Sequence, residues 1–71
     1  MSNYSILLSD GTVAHFDDDR TLEALFSQLQ SKNGLRIAEA ELWMEGSTAG
    51  RKVDAIFNER HTVAVYRRII G

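Results

Sequence analysis

Few side chains in this chain have the type and spacing that chemistry requires. There is no cysteine, so neither a thiolate nucleophile nor a thiolate metal site can form. His15 and His61 are the only imidazoles, and they stand far apart in the sequence. Each reads as a surface or partly packed histidine rather than a general base. Ser5, Ser9 and Ser47 sit in no nucleophile-elbow context. The run Asp17-Asp18-Asp19 gathers carboxylates, but it lacks the spaced oxygen ligands and closing glutamate of a calcium loop. Helix capping accounts for it instead. The stretch GSTAGRK, 46–52, lacks the lysine-serine/threonine ending of a phosphate loop. The last candidate is a basic cluster of Arg51, Lys52, Arg60, Arg67 and Arg68. It could receive an acidic protein surface or nucleic acid. The alternative is a solvated edge that deters edge-to-edge pairing. These residues lead us to expect no enzyme, no cofactor and no metal.

The bulk properties narrow the partner classes. Seventy-one residues make one domain, 1–71, with 69–71 a short tail. A chain this short buries a modest share of its surface, so its packing must be good. The net charge of −2 hides a split. Residues 1–50 carry three basic and eight acidic side chains, hence −5; residues 51–71 carry five and two, hence +3. An acidic chain argues against sequence-independent nucleic-acid binding, which depends on neutralising phosphates. No basic start precedes a long apolar stretch, and no run is long enough to span a membrane. The expected compartment is the cytoplasm.

The elements that must position these residues follow from period and punctuation. YSILLS, 4–9, and TVAHFD, 12–17, read as strands around an Asp10-Gly11 turn. A glycine bulge in that turn sets Leu8 opposite Thr12, Ile6 opposite Ala14 and Tyr4 opposite Phe16. Tyr4, Ile6, Leu8, Ala14 and Phe16 then share one face, and Ser5, Leu7, Val13 and His15 the other. Residues 17–34 read as a helix and its flanks, with Thr21 as N-cap and Leu22, Leu25, Phe26 and Leu29 as its apolar stripe. Gly34 is the expected left-handed C-cap. AEAELWMEG, 38–46, is a third strand, with Glu41, Trp43 and Glu45 on one face and Leu42 and Met44 on the other. RKVDAIFNER, 51–60, predicts one helical turn that plugs the core with Val53, Ile56 and Phe57. HTVAVYRRI, 61–69, is the last strand, with Val63 and Val65 inward and Ala64 and Tyr66 outward.

The order strand, strand, helix, strand, turn, strand predicts an α+β domain of the β-grasp type. It would have a four-stranded mixed sheet with one helix on one face. TLEALFSQLQSKNGL, 21–35, resembles the helix of ubiquitin-like proteins and its glycine exit. ELWMEG, 41–46, is similar to their third strand, and TVAVYRRIIG, 62–71, to their last strand and basic, glycine-ended tail. The resemblance implies two roles. One is a covalent modifier joined through Gly71. Such modifiers usually end in two glycines, whereas stiff, β-branched Ile69 and Ile70 precede the glycine here. The other is a protein-binding module that uses an apolar patch on the open sheet face.

The positions equivalent to that patch are Trp43, Ala64 and Tyr66, with Leu7 and Val13 from the hairpin. Tryptophan and tyrosine are enriched in binding hot spots. The alternative is that Trp43 packs against the tail or a loop within the monomer. The leading expectation is therefore a non-enzymatic adaptor or inhibitor, for instance a phage or bacterial protein that occludes a host enzyme. Its partner would be another protein, and the chain itself a monomer or weak homodimer. The covalent modifier is the first alternative. Nucleic-acid binding or mimicry through the segregated charge is the second.

Overall fold

Alternation of apolar and polar residues builds the first hairpin. A computed structural model describes residues 1–69. β1 (Ser2–Leu8) and β2 (Val13–Asp18) pair antiparallel, with Tyr4 opposite Phe16 and Ile6 opposite Ala14. This is the register that the glycine-bulge turn predicts. Gly11 has a φ of 92° and its N–H donates to Leu8 O, while Leu8 N–H donates to Thr12 O. Asp10 Oδ1 accepts the Thr12 N–H at 2.9 Å. That bond holds the Asp10 carboxyl below its ordinary range.

The helix α1 (Leu22–Gln30) starts where its cap predicts. Thr21 Oγ1 accepts the Ala24 N–H at 3.1 Å and satisfies one of the free amides of the first turn. The helix ends a turn before Gly34. Ser31 is the extended cap residue, and its hydroxyl donates to Gln28 O at 2.7 Å. Lys32 thus lies outside the helix. Gly34, at φ 73°, instead swings the chain into the next strand. Leu25 and Leu29 are buried, but Phe26 is 50% exposed and falls outside the core stripe.

β3 (Leu35–Trp43) starts earlier than the pattern suggests, because Leu35 and Ile37 already alternate into the core. Between Ile37 and Ala40 the register slips by a bulge, with Glu39 at φ 56°. Asp54 Oδ1 accepts the Glu39 N–H at 3.0 Å and holds this kink. The predicted helical turn at 51–60 is replaced by a strand. β4 (Arg51–Phe57) pairs antiparallel with β3, and only residues 59–61 form a short 3-10 turn. The relevant period is two: Val53, Ala55 and Phe57 turn toward the helix, and Ile56 turns away and stays exposed.

β5 (Thr62–Arg67) pairs antiparallel with β1 at the other edge. A bulge at Val63 leaves that side chain 63% exposed, so only Val65 of the two valines packs on the core. The sheet order is β4-β3-β2-β1-β5. The four-stranded mixed sheet is therefore corrected to a five-stranded antiparallel one. One helix still lies on one face of an α+β fold. The core between them is Tyr4, Ile6, Ala14, Phe16, Leu25, Leu29, Leu35, Ile37, Ala40 and Phe57. Among the described residues no helix is long and apolar enough to cross a membrane.

Candidate functional site

The sheet face opposite the helix carries two rows of side chains, set by register alone. Val13 stands opposite Trp43, Leu7 opposite Val13, and Ala64 opposite Leu7. Trp43, Val13, Leu7 and Ala64 thus form one apolar line across β3, β2, β1 and β5. All four are half-buried. One step along the strands lies a polar line. Lys52 is opposite Glu41, Glu41 opposite His15, His15 opposite Ser5, and Ser5 opposite Tyr66. Tyr66 is 43% exposed at its end. The fold therefore brings Trp43, Ala64, Tyr66, Leu7 and Val13 onto one face.

Trp43 is held in place from two sides. Its indole Nε1 donates to Glu41 Oε1. The backbone of Gly50 lies against it, so close that an added Cβ would sit 2.5 Å from Nε1 and 2.6 Å from Glu41 Cγ. The loop packing anticipated for Trp43 and the membership of the outer face therefore coexist. One side of the ring meets the loop, and its row meets the open sheet face. Met44, just beyond it, is exposed, whereas Leu42 packs against the core.

His15 lies in the polar line. Ser5 Oγ and His15 Nδ1 share a hydrogen bond of 2.7 Å. Burial holds the imidazole below its ordinary range, the Arg68 guanidinium adds to that, and Glu41 opposes it. Ser5 is fully buried, so its hydroxyl cannot reach a substrate. The pair is a packed polar contact and not a nucleophile with its base. The hairpin register already places Ser5 and His15 side by side.

The basic cluster does not form one patch. Arg51 and Lys52 are on β4, and Arg67 ends β5 with Arg68 just after it, at opposite edges of the sheet. Arg60 lies in the 3-10 turn. Arg67 pairs with Tyr4 on the helix side, whereas Arg68 reaches the outer face. There Arg68 and Lys52 line a shallow depression of about 400 Å³ with His15, Asp17, Glu39 and Glu41. Its charge is mixed, which suits neither a phosphate backbone nor a simple acidic surface. The Nε of Arg68 is buried with no hydrogen-bond partner among the described residues.

The aspartate run divides its tasks. Asp18 binds the Arg20 guanidinium through both carboxylate oxygens, at 2.9 and 2.7 Å, and accepts the Arg20 N–H at 2.8 Å. These bonds hold its carboxyl below the ordinary range. Asp19 faces the N-terminal amine at 3.8 Å. Among the described residues no three metal-ligating side chains are grouped. The proposed conjugation residue, Gly71, lies outside the described residues. Comparison with protein-family models, curated proteins and solved structures returns no match.

Proposed function

We propose that the chain is a small, non-enzymatic protein-binding module that docks its outer sheet face on a larger protein in the cytoplasm. The observation that carries the reading is the transverse row Trp43, Val13, Leu7 and Ala64, flanked by exposed Tyr66. An apolar row with an aromatic at one end and a tyrosine beside the other has the composition of a binding hot spot. The face is presented on strands, so its geometry is fixed before binding and little ordering cost remains. Adaptor and inhibitor both fit such a rigid face. The sequence resemblance of 21–35, 41–46 and 62–71 to ubiquitin-like proteins, which bind through an open sheet face, agrees with this reading.

The test is capture of a partner from the source cell by the immobilised chain. Trp43→Ala with Tyr66→Ala should cost about 2 kcal/mol or more of binding, roughly thirtyfold in Kd. Phe26→Ala, on the helix, should retain capture. Thermal midpoints of both variants are measured in parallel, so that loss of fold is not mistaken for loss of contact. Undiminished capture by a folded double variant would sink this surface.

A further inference from the structure

The sheet has two free edges, β4 and β5, and they differ in kind. β5 is broken by the bulge at Val63 and is preceded by the 3-10 turn. β4 runs seven residues without proline, without a positive φ and without a bulge of its own. The irregularity opposite it belongs to β3. The helix packs chiefly over β3 and β5, so the helix-side residues Val53 and Ala55 of β4 remain half-exposed. An open strand of this length presents unpaired amides and carbonyls that can template another strand.

We propose that β4 pairs antiparallel with β4 of a second copy, about a two-fold axis through Val53. A two-fold axis normal to the sheet keeps the helix side of both copies on one side, so it must pass through a residue. Charge then chooses the residue. Centred on Val53, Lys52 stands opposite Asp54 of the second copy, and Asp54 opposite its Lys52. Both opposite-charge pairs lie on the outer face, and Val53 meets Val53 on the helix side. Centred on Asp54, two carboxylates would face each other. Centred on Ala55, Asp54 would face Ile56. Opposite charges across a strand pair stabilise it, and like charges do the reverse. Lys52 and Asp54 are both exposed, and neither is in an ion pair among the described residues. The Glu39 N–H on β3 donates to Asp54 Oδ1, which leaves Oδ2 for Lys52 of the second copy. The inference does not depend on the docking face. If both hold, the two outer faces lie on the same side of one continuous sheet and can be engaged together.

Sedimentation velocity of the full chain over a concentration series decides the matter. The wild type should pass from 8.0 kDa to twice that mass as concentration rises. Lys52→Asp alone and Asp54→Lys alone should each weaken dimerisation about tenfold, because each turns two attractions into two repulsions. The double exchange, Lys52→Asp with Asp54→Lys, should restore it. Asp54→Lys also removes the bond that holds the β3 bulge and could unfold the chain. Salt supplies a second reading that needs only Lys52→Asp. Raising ionic strength should weaken the wild-type dimer and strengthen that of Lys52→Asp. A wild type that stays monomeric throughout would overturn the proposal. So would a Lys52→Asp variant that dimerises like the wild type with the same salt dependence, or a folded double exchange that stays as weak as the single variants.

Discussion

Ser5 and His15 face each other across the first hairpin, joined by a 2.7 Å hydrogen bond between Oγ and Nδ1. A neutral imidazole can donate to or accept from this hydroxyl. A protonated ring donates from both nitrogens, so Ser5 must accept and find another acceptor for its own proton. Ser5 is fully buried, which makes that hard. Burial, chiefly, and the Arg68 charge keep the folded-state pKa of His15 below its ordinary value, against Glu41.

The pH dependence follows in sign. Below about pH 6.5 the unfolded chain takes up a proton on this histidine before the folded chain does. His15 therefore stabilises the fold fully above that range and loses its contribution as pH falls through the folded pKa. Thermal midpoints of wild type and His15→Gln, measured from pH 8 to pH 5, should differ by an amount that shifts against the wild type as pH drops. Parallel curves would show that His15 does not titrate differently on folding.

Gly50 and Trp43 make a second testable contact. Alanine at position 50 would bring its Cβ within 2.5 Å of the indole Nε1, so the ring must move and give up its bond to Glu41. Trp43 is the sole tryptophan, so its fluorescence reports the change directly. Gly50→Ala should shift the emission to longer wavelength as the ring gains water, and should weaken partner capture by displacing Trp43 although residue 50 lies in the loop beside the face. Unchanged emission would mean that the loop does not fix the ring.

Much of this was legible from period and punctuation. Asp10-Gly11 with alternating flanks gave the hairpin register, and with it the outer row of Leu7 and Val13 and the placing of Ser5 beside His15. Thr21 gave the helix start. Two places misled, for physical reasons. Val53, Ile56 and Phe57 fit helical spacing, but Val53, Ala55 and Phe57 fit a strand, and Ala55 is too small to weigh in a hydropathy pattern. Val63 alternates correctly in sequence, but the adjoining bulge lifts it from the core, and a bulge needs no distinctive residue. The basic residues are divided between two sheet edges, because proximity along the chain end says nothing about which edge a strand occupies, although Lys52 and Arg68 still line one depression. Strand order arises from long-range pairing, which local pattern does not encode.

Gly34 and Gly46 separate backbone conformation from steric space. Both have positive φ, 73° and 81°. A Cβ at Gly34 would lie 2.6 Å from the carbonyl oxygen of Phe57, whereas at Gly46 it meets nothing within 4 Å. Gly46→Ala should cost about 1 kcal/mol, the price of the left-handed conformation alone. Gly34→Ala should cost more than about 2 kcal/mol, because backbone of β4 must also yield. Urea unfolding midpoints of the two variants would check this. Equal losses would show that the contact with Phe57 relaxes freely.

Leu25 and Phe26 are adjacent on α1 and differ sharply in burial. Leu25 is fully buried between helix and sheet, and Phe26 is half in solvent. Larger side chains ordinarily cost more to truncate, so composition alone would rank Phe26 first. Burial reverses the order. Leu25→Ala leaves a cavity that the sheet cannot close and should cost about 2–5 kcal/mol. Phe26→Ala loses only its partial burial, about 1 kcal/mol. In a chain this small the former approaches the whole stability, so it should unfold at low urea or without it. Urea titrations followed by Trp43 fluorescence would measure both. A Phe26→Ala loss as large as that of Leu25→Ala would mean that Phe26 is covered in solution, by a segment or a second copy that packs on the helix.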